Sequence, residues 1–87
     1  MDIIIVSSKS ISQKVAGSIA NSFREGCTDV EIQTVGAGAV NQAIKAIAIA
    51  RGYVTPSGKE LVVIPSFSEV TINDTKKTAI RLVVTSR

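Results

Sequence analysis

The chain has 87 residues, 45% hydrophobic and 20% charged, with a formal net charge of +3. That is enough for one small α/β core, and aromatics at 3% leave Ile, Val, Leu and Ala to build it. The absence of histidine excludes His-based metal sites and His-dependent catalysis, and the single cysteine excludes an intrachain disulfide.

The first residues lack the basic flank and apolar length of a leader, and no apolar run approaches the ~20 residues of a membrane span. The expected location is the cytoplasm. Ile3–Val6 is a continuous β-branched run, which reads as a strand buried on both faces near the middle of a sheet. Ser10 followed by Gln13 matches a capping box at the start of a first helix. Ile11, Val15, Ile19 and Phe23 then recur at four-residue steps and form its apolar stripe. Gly17 interrupts this helix and suggests a close approach to a neighbouring element, and Gly26 is a natural stop.

Asp29–Val35 alternates as a half-exposed strand. Gly36-Ala37-Gly38 then turns the chain into a second helix that ends at Gly52. At ~100° per residue this helix has three faces. Ala39, Ala43, Ala46 and Ala50 form one, suited to close packing. Val40, Ile44 and Ile47 form a second, suited to filling core volume. Asn41, Gln42 and Lys45 form the third and are its wet side.

Pro56-Ser57-Gly58 marks a loop. A strand follows from Glu60 to Ile64, where Pro65 suggests a sheet edge or a bulge, and it resumes from Phe67 to Ile72. Asn73-Asp74-Thr75 turns into a last strand, Lys77–Thr85, within which Arg81 is expected to point out of the sheet. The order is βαβαββ in a single domain spanning 1–87.

Several runs carry a family resemblance. Gly36–Gly52 reads GAGAVNQAIKAIAIARG, supported by Val6–Ser10, Val15-Ala16-Gly17, Gly52–Gly58, Ile64–Phe67 and Thr78–Leu82. In these the chain resembles the stage V sporulation protein S family over nearly its whole length. That family is similar in fold to Alba, the chromatin-associated nucleic-acid-binding proteins. The resemblance implies a two-layer α/β domain with two helices on one face of a four-stranded sheet, dimerisation, and a developmental regulatory role. By position, the nucleic-acid contacts of Alba fall on Lys9, on Gly36 to Gly38 with the exposed face of the second helix, and on Lys76 and Lys77. Two departures count against tight DNA binding. Ala37 and Ala39 stand where Alba carries basic residues, and the hairpin reads as short.

The candidate binding residues are therefore Lys9, Gly36, Gly38, Asn41, Gln42, Lys45, Lys76 and Lys77. The glycine turn either holds an anion on free N–H groups or is simply a tight connection. Asn41, Gln42 and Lys45 suit phosphate or base contacts, an ordinary solvated face, or a subunit seam. Tyr53 either anchors its loop or stacks on a base. No nucleophile motif, paired acid and base, or metal cluster is evident, so no catalysis and no cofactor are expected. The expected partners are nucleic acid and a second copy of the chain. The alternative is a protein-assembly module of sporulation or cell development that ignores nucleic acid.

Overall fold

A computed structural model describes residues 2–87. The elements are β1 (Asp2–Val6), α1 (Ser12–Arg24), β2 (Asp29–Thr34), α2 (Ala37–Val54), a 3-10 turn (Thr55–Ser57), β3 (Leu61–Ile72) and β4 (Thr75–Ser86). The strands form one sheet in the order β1-β2-β4-β3. β1 runs parallel to β2, and the other two pairings are antiparallel. The expected two-layer βαβαββ architecture is thus present, with both helices over one face, packed on each other and on β1 and β2. No helix among the described residues is long and apolar enough to cross a membrane.

The core lies between the helices and the face of the sheet that carries Val30, Ile32, Leu82 and Val84. Phe23 and Ile19 of α1 are fully buried there, and so are Ala39, Ala43, Ala46 and Ala50 of α2. The alanine row is therefore the packed face, as its spacing indicates. The β-branched face divides instead: Ile47 is buried, Val40 is half-buried and Ile44 is exposed. Burial is centred on the alanines, and Ile44 sits on the flank of the helix farthest from that row.

Other expectations are corrected. β1 is an edge strand rather than a central one, and Ile3 and Ile5 are 60% and 78% exposed. A β-branched run fits an edge strand with one apolar open face as well as it fits a central strand, and periodicity does not separate the two. No capping box forms. The N-cap of α1 is Ile11, without a side-chain cap, and the Ser10 hydroxyl instead accepts the Ser7 N–H at 2.9 Å. Gly17 is exposed and a Cβ there would meet nothing within 4 Å, so no close approach requires it.

Gly52 does not end α2, which continues to Val54; one glycine costs only ~1 kcal/mol in a helix, and the buried Val54 side chain favours continuation. The stop comes at the turn containing Pro56 and at Gly58, whose φ is 84°. Gly26 does end α1. Cys27 N–H donates to Ser22 O and Gly26 N–H to Phe23 O, the paired bonds of a left-handed glycine cap.

The β3–β4 hairpin is long, not short. Its strands have 12 residues each, paired without a break from Leu61↔Ser86 to Ile72↔Thr75. Asn73 and Asp74 close it with φ of 51° and 59°, the left-handed pair of a two-residue hairpin turn, which Asn and Asp tolerate. β2 meets β4 only from Thr85 back to Ile80, so the hairpin beyond Ile80 projects from the sheet as a two-stranded arm. The arm accounts for a longest dimension of 43 Å against 21 and 17 Å for the others. Pro65 lies on the edge strand β3, where a missing backbone donor is tolerated.

At the far end of the molecule Arg51 Nε sits 2.6 Å from Glu60 Oε1, and Nη2 lies 3.0 Å from Oε2. The hydrogen bond from Arg51 holds the Glu60 carboxyl below its ordinary range; partial desolvation works against this, and the guanidinium charge works with it. A carboxyl whose folded pKa is depressed stabilises the fold above its unfolded pKa and loses that contribution as the pH falls through the folded value. Wild type is therefore expected to melt slightly above Glu60→Gln near pH ~7, with the two converging toward pH ~3, in thermal melts followed by circular dichroism.

Candidate nucleic-acid interface

The registers place three segments at one end of the sheet. Val6, the last residue of β1, is paired with Thr34, the last of β2, and Thr34 is paired with Ile80 of β4. The β1–α1 loop with Lys9, the Gly36–Gly38 entry to α2, and the base of the hairpin arm therefore converge there. Thr34 reinforces the junction, since its hydroxyl donates to Ile80 O at 2.9 Å.

The β1–α1 loop is internally tied. Ser10 N–H donates to Ser7 O at 3.1 Å, and Lys9 N–H to the Ser7 hydroxyl at 3.2 Å. The loop lies directly on α2, and a Cβ at Gly38 would sit 2.8 Å from Ser8 Cβ. Glycine is needed at 38 because another chain segment occupies the space, whereas Gly36 is needed for its φ of 90°. Gln42 closes the junction by donating from Nε2 to Ser10 O at 2.7 Å, and it accepts from Lys45 Nζ at 3.3 Å.

The loop that carries Lys9 is thus held against the Gly38–Gln42 stretch of α2, with Lys45 one turn further on. Lys9, Asn41 and Lys45 are exposed, whereas Gln42 is half-buried and engaged with the loop. α2 has no acidic residue in its first turn, so its N-terminal dipole is not already neutralised locally. Lys76 and Lys77 are carried apart from this cluster on the arm, both exposed. Being consecutive in a strand they face opposite ways. Lys76 shares the helix-side face with Phe67, and Lys77 shares the open face with Arg81. Tyr53 lies in the last turn of α2, 47% exposed and far along the helix from the junction.

Acidic and basic residues are mixed away from the junction. Asp2, Asp29, Glu25 and Glu60 sit at the strand starts and the α1 C-terminus, the end away from Lys9, where Arg24, Arg51, Lys59 and Arg87 offset them. The arm carries Glu69 and Asp74 beside its two lysines. Sequence reasoning missed the Gln42–Ser10 tie, because nothing local relates positions 32 apart. It also missed the group Glu31, Gln33 and Arg81. There Gln33 Nε2 donates to Glu31 Oε2 at 2.7 Å, and Arg81 Nε lies 3.4 Å from Glu31 Oε1. The strand alternation that puts Glu31 and Gln33 on one face was its visible signal.

Two helices on one face of a β1-β2-β4-β3 sheet, with a projecting β3–β4 arm, define an Alba-like α/β protein. A solved structure of Alba from Thermoplasma volcanium is similar in fold, with a TM-score of 0.69 at 14% sequence identity, covering 97% of this chain and 99% of that one. Residues 2–87 match the family model of Stage V sporulation protein S (SpoVS), and the chain belongs to that family. It is thereby a sporulation-related regulatory protein of Alba-like fold.

Proposed function

We propose that residues 1–87 act as one non-enzymatic domain that binds nucleic acid through its phosphates, as a dimer in the cytoplasm and without a cofactor. One observation carries the reading. The Lys9 loop is held against the glycine entry to α2, with Lys45 one turn further on, at the end of the sheet from which the Lys76–Lys77 arm projects. Lysines there supply point charges, and Gly36 and Gly38 expose backbone near a positive helix end. Asn41 is free to reach sugar or base edges. Gln42 acts by holding the loop. The modest lysine count suits positioning on a backbone more than sequence readout, and the likeness to Alba supports the same surface.

The test is a titration of single- and double-stranded RNA and DNA at low salt. Binding is expected to weaken as salt rises. Lys9→Gln with Lys45→Gln should flatten the salt slope by roughly two counterions' worth, about 0.7–0.9 per lysine. Absence of salt-sensitive binding, or a double variant identical to wild type, would sink the reading. In that event a protein-assembly role becomes the better account, since Phe67 stands 80% exposed beside an apolar cleft of about 240 Å³ lined by Pro65, Ser66 and Ile80.

A further inference from the structure

One side-chain row of the core continues into solvent. Val6, Thr34, Ile80 and Phe67 are register partners in turn, from β1 across β2 and β4 to β3. Val6 and Thr34 are buried, Ile80 packs on the edge of the core, and Phe67 is 80% exposed. Both helices pack on β1 and β2, so the row comes out from under them as it reaches β3. There the ring stands beside the cleft of about 240 Å³ whose walls include Pro65 and Ile80. An isolated apolar side chain on a surface is ordinary. A phenyl ring beside a cleft with an aliphatic floor is not, and the unbroken β3–β4 register holds it in place.

The same row is where the Lys9 loop and the entry to α2 leave the sheet, since Val6 and Thr34 end β1 and β2. Two strand spacings, about 10 Å, separate Phe67 from Thr34. Charge around the ring is sorted. Lys76 shares its face two rows out along the arm, and Glu69 stands on that face between them. A carboxylate there turns phosphate away from the cleft itself but acts little on an uncharged ring. The apolar area is also narrow. Beyond Phe67 this face of the arm carries Glu69, Thr78, Thr71 and Lys76. A protein partner would find one apolar row, far from the ~800 Å² per side of a stable interface. A single flat ring, tied to a phosphate held at the junction, needs no more than that row.

We infer that Phe67 is a stacking platform for an unpaired base, and that the nucleic acid held at the Lys9–α2 junction is single-stranded where it passes the arm. In a duplex both faces of each base are covered by its neighbours, and the ring reaches one only after unstacking. A single strand or an open loop can splay a base outward with its face free. The phosphates then lie toward Lys9 and the glycine entry, and the base turns over the cleft onto the ring. Phe67 offers no side-chain donor or acceptor, so the contact selects unpaired bases without choosing among them. The inference rests on the preceding reading, that this junction binds nucleic acid, and adds the form that it takes.

The probes are a single strand of about 12 nucleotides, its duplex, and the same strand made abasic throughout, which keeps the phosphates and removes the bases. Phe67→Ala should weaken binding of the single strand by between about 5- and 150-fold, the range for loss of one stacked base. Its affinity for the duplex and for the abasic strand should stay within about 2-fold of wild type. The salt slope should not change, because no charge is removed. The chain contains no tryptophan, so Phe67→Trp introduces a single indole fluorophore. That variant should keep its affinity, and its emission should be quenched by the base-bearing strand and not by the abasic one. Should Phe67→Ala misfold, the Phe67→Trp emission decides alone. Equal single-strand affinity in wild type and Phe67→Ala, an equal loss on the abasic strand, or an unmoved emission would overturn the inference. Salt-sensitive binding would survive each of these, and the preceding reading with it. A wild type that binds none of the probes overturns both. A change in sedimentation of Phe67→Ala with its nucleic-acid affinity intact would give the ring to a protein contact instead.

Discussion

Phe23→Ala is expected to lower stability by about 3–5 kcal/mol, the largest single effect in this chain. Phe23 is the largest fully buried side chain, placed where α1 meets the sheet. The core cluster it belongs to is mostly valine, isoleucine and alanine, stiff at χ1 or without a side chain to move, with Leu61 and Leu82 the exceptions. The cavity therefore collapses poorly, and the cost falls toward the upper part of that range. A domain of this size holds roughly 4–13 kcal/mol in total. The melting temperature should consequently fall by about 12 °C or more, read by calorimetry or circular dichroism. Phe67→Ala is the matching control. That ring is 80% exposed, and its removal should change stability by no more than about 0.5 kcal/mol. Equal losses from the two phenylalanines would mean that the core is not where the structure places it.

The contrast between the two phenylalanines indicates what was legible in the sequence. Phe23 and Ile19 are read correctly because four-residue spacing on a helix reports a buried face, whereas Ile11 of the same series is the N-cap and 53% exposed. The alanine row of α2 is read correctly for the same reason. The βαβαββ order follows from alternating periodicities and from the turn residues between them, while the two-layer arrangement is what the family resemblance implies. Lateral order in the sheet does not follow. Ile3–Val6 reads as central yet forms an edge, because side-chain period reports which residues share a face and not which strands are neighbours. Hairpin length is likewise hidden, since Pro65 looks like an interruption until β3 is known to lie at an edge.

At the candidate site the residue types were visible, and so was the glycine entry to α2. The junction was not. Ser8 against Gly38 and Ser10 against Gln42 are contacts between segments about 30 residues apart, which only the sheet register brings together. Gln42 illustrates the consequence: on a helical wheel it belongs with Asn41 and Lys45 as a free polar face, but its amide is used to hold the neighbouring loop.

Gly38→Val is expected to damage both the fold and the proposed interface, by one cause. A Cβ at 38 would lie 2.8 Å from Ser8 Cβ, an approach that requires something to shift. The obstacle is the root of a side chain attached to backbone, so rotamer change alone does not relieve it. Helix propensity gives back only part of a ~1 kcal/mol glycine deficit, since valine is itself a weak helix former. The branched methyls add bulk on the same side. The net loss should be about 1–3 kcal/mol, the ordinary cost of overpacking. The displacement should then reach Lys9, because Ser7, Lys9 and Ser10 are linked by hydrogen bonds within one tight loop. It should also strain the Gln42–Ser10 bond on the other side of the junction. Nucleic-acid affinity in the folded variant is therefore expected to drop by at least as much as in Lys9→Gln, whereas Lys9→Gln itself should leave the melting temperature unchanged within error. Denaturant titration and low-salt binding on the two variants separate these effects. A Gly38→Val protein as stable as wild type would show that the loop yields freely. One that is destabilised but binds normally would show that the position of Lys9 against α2 is structural and takes no part in recognition.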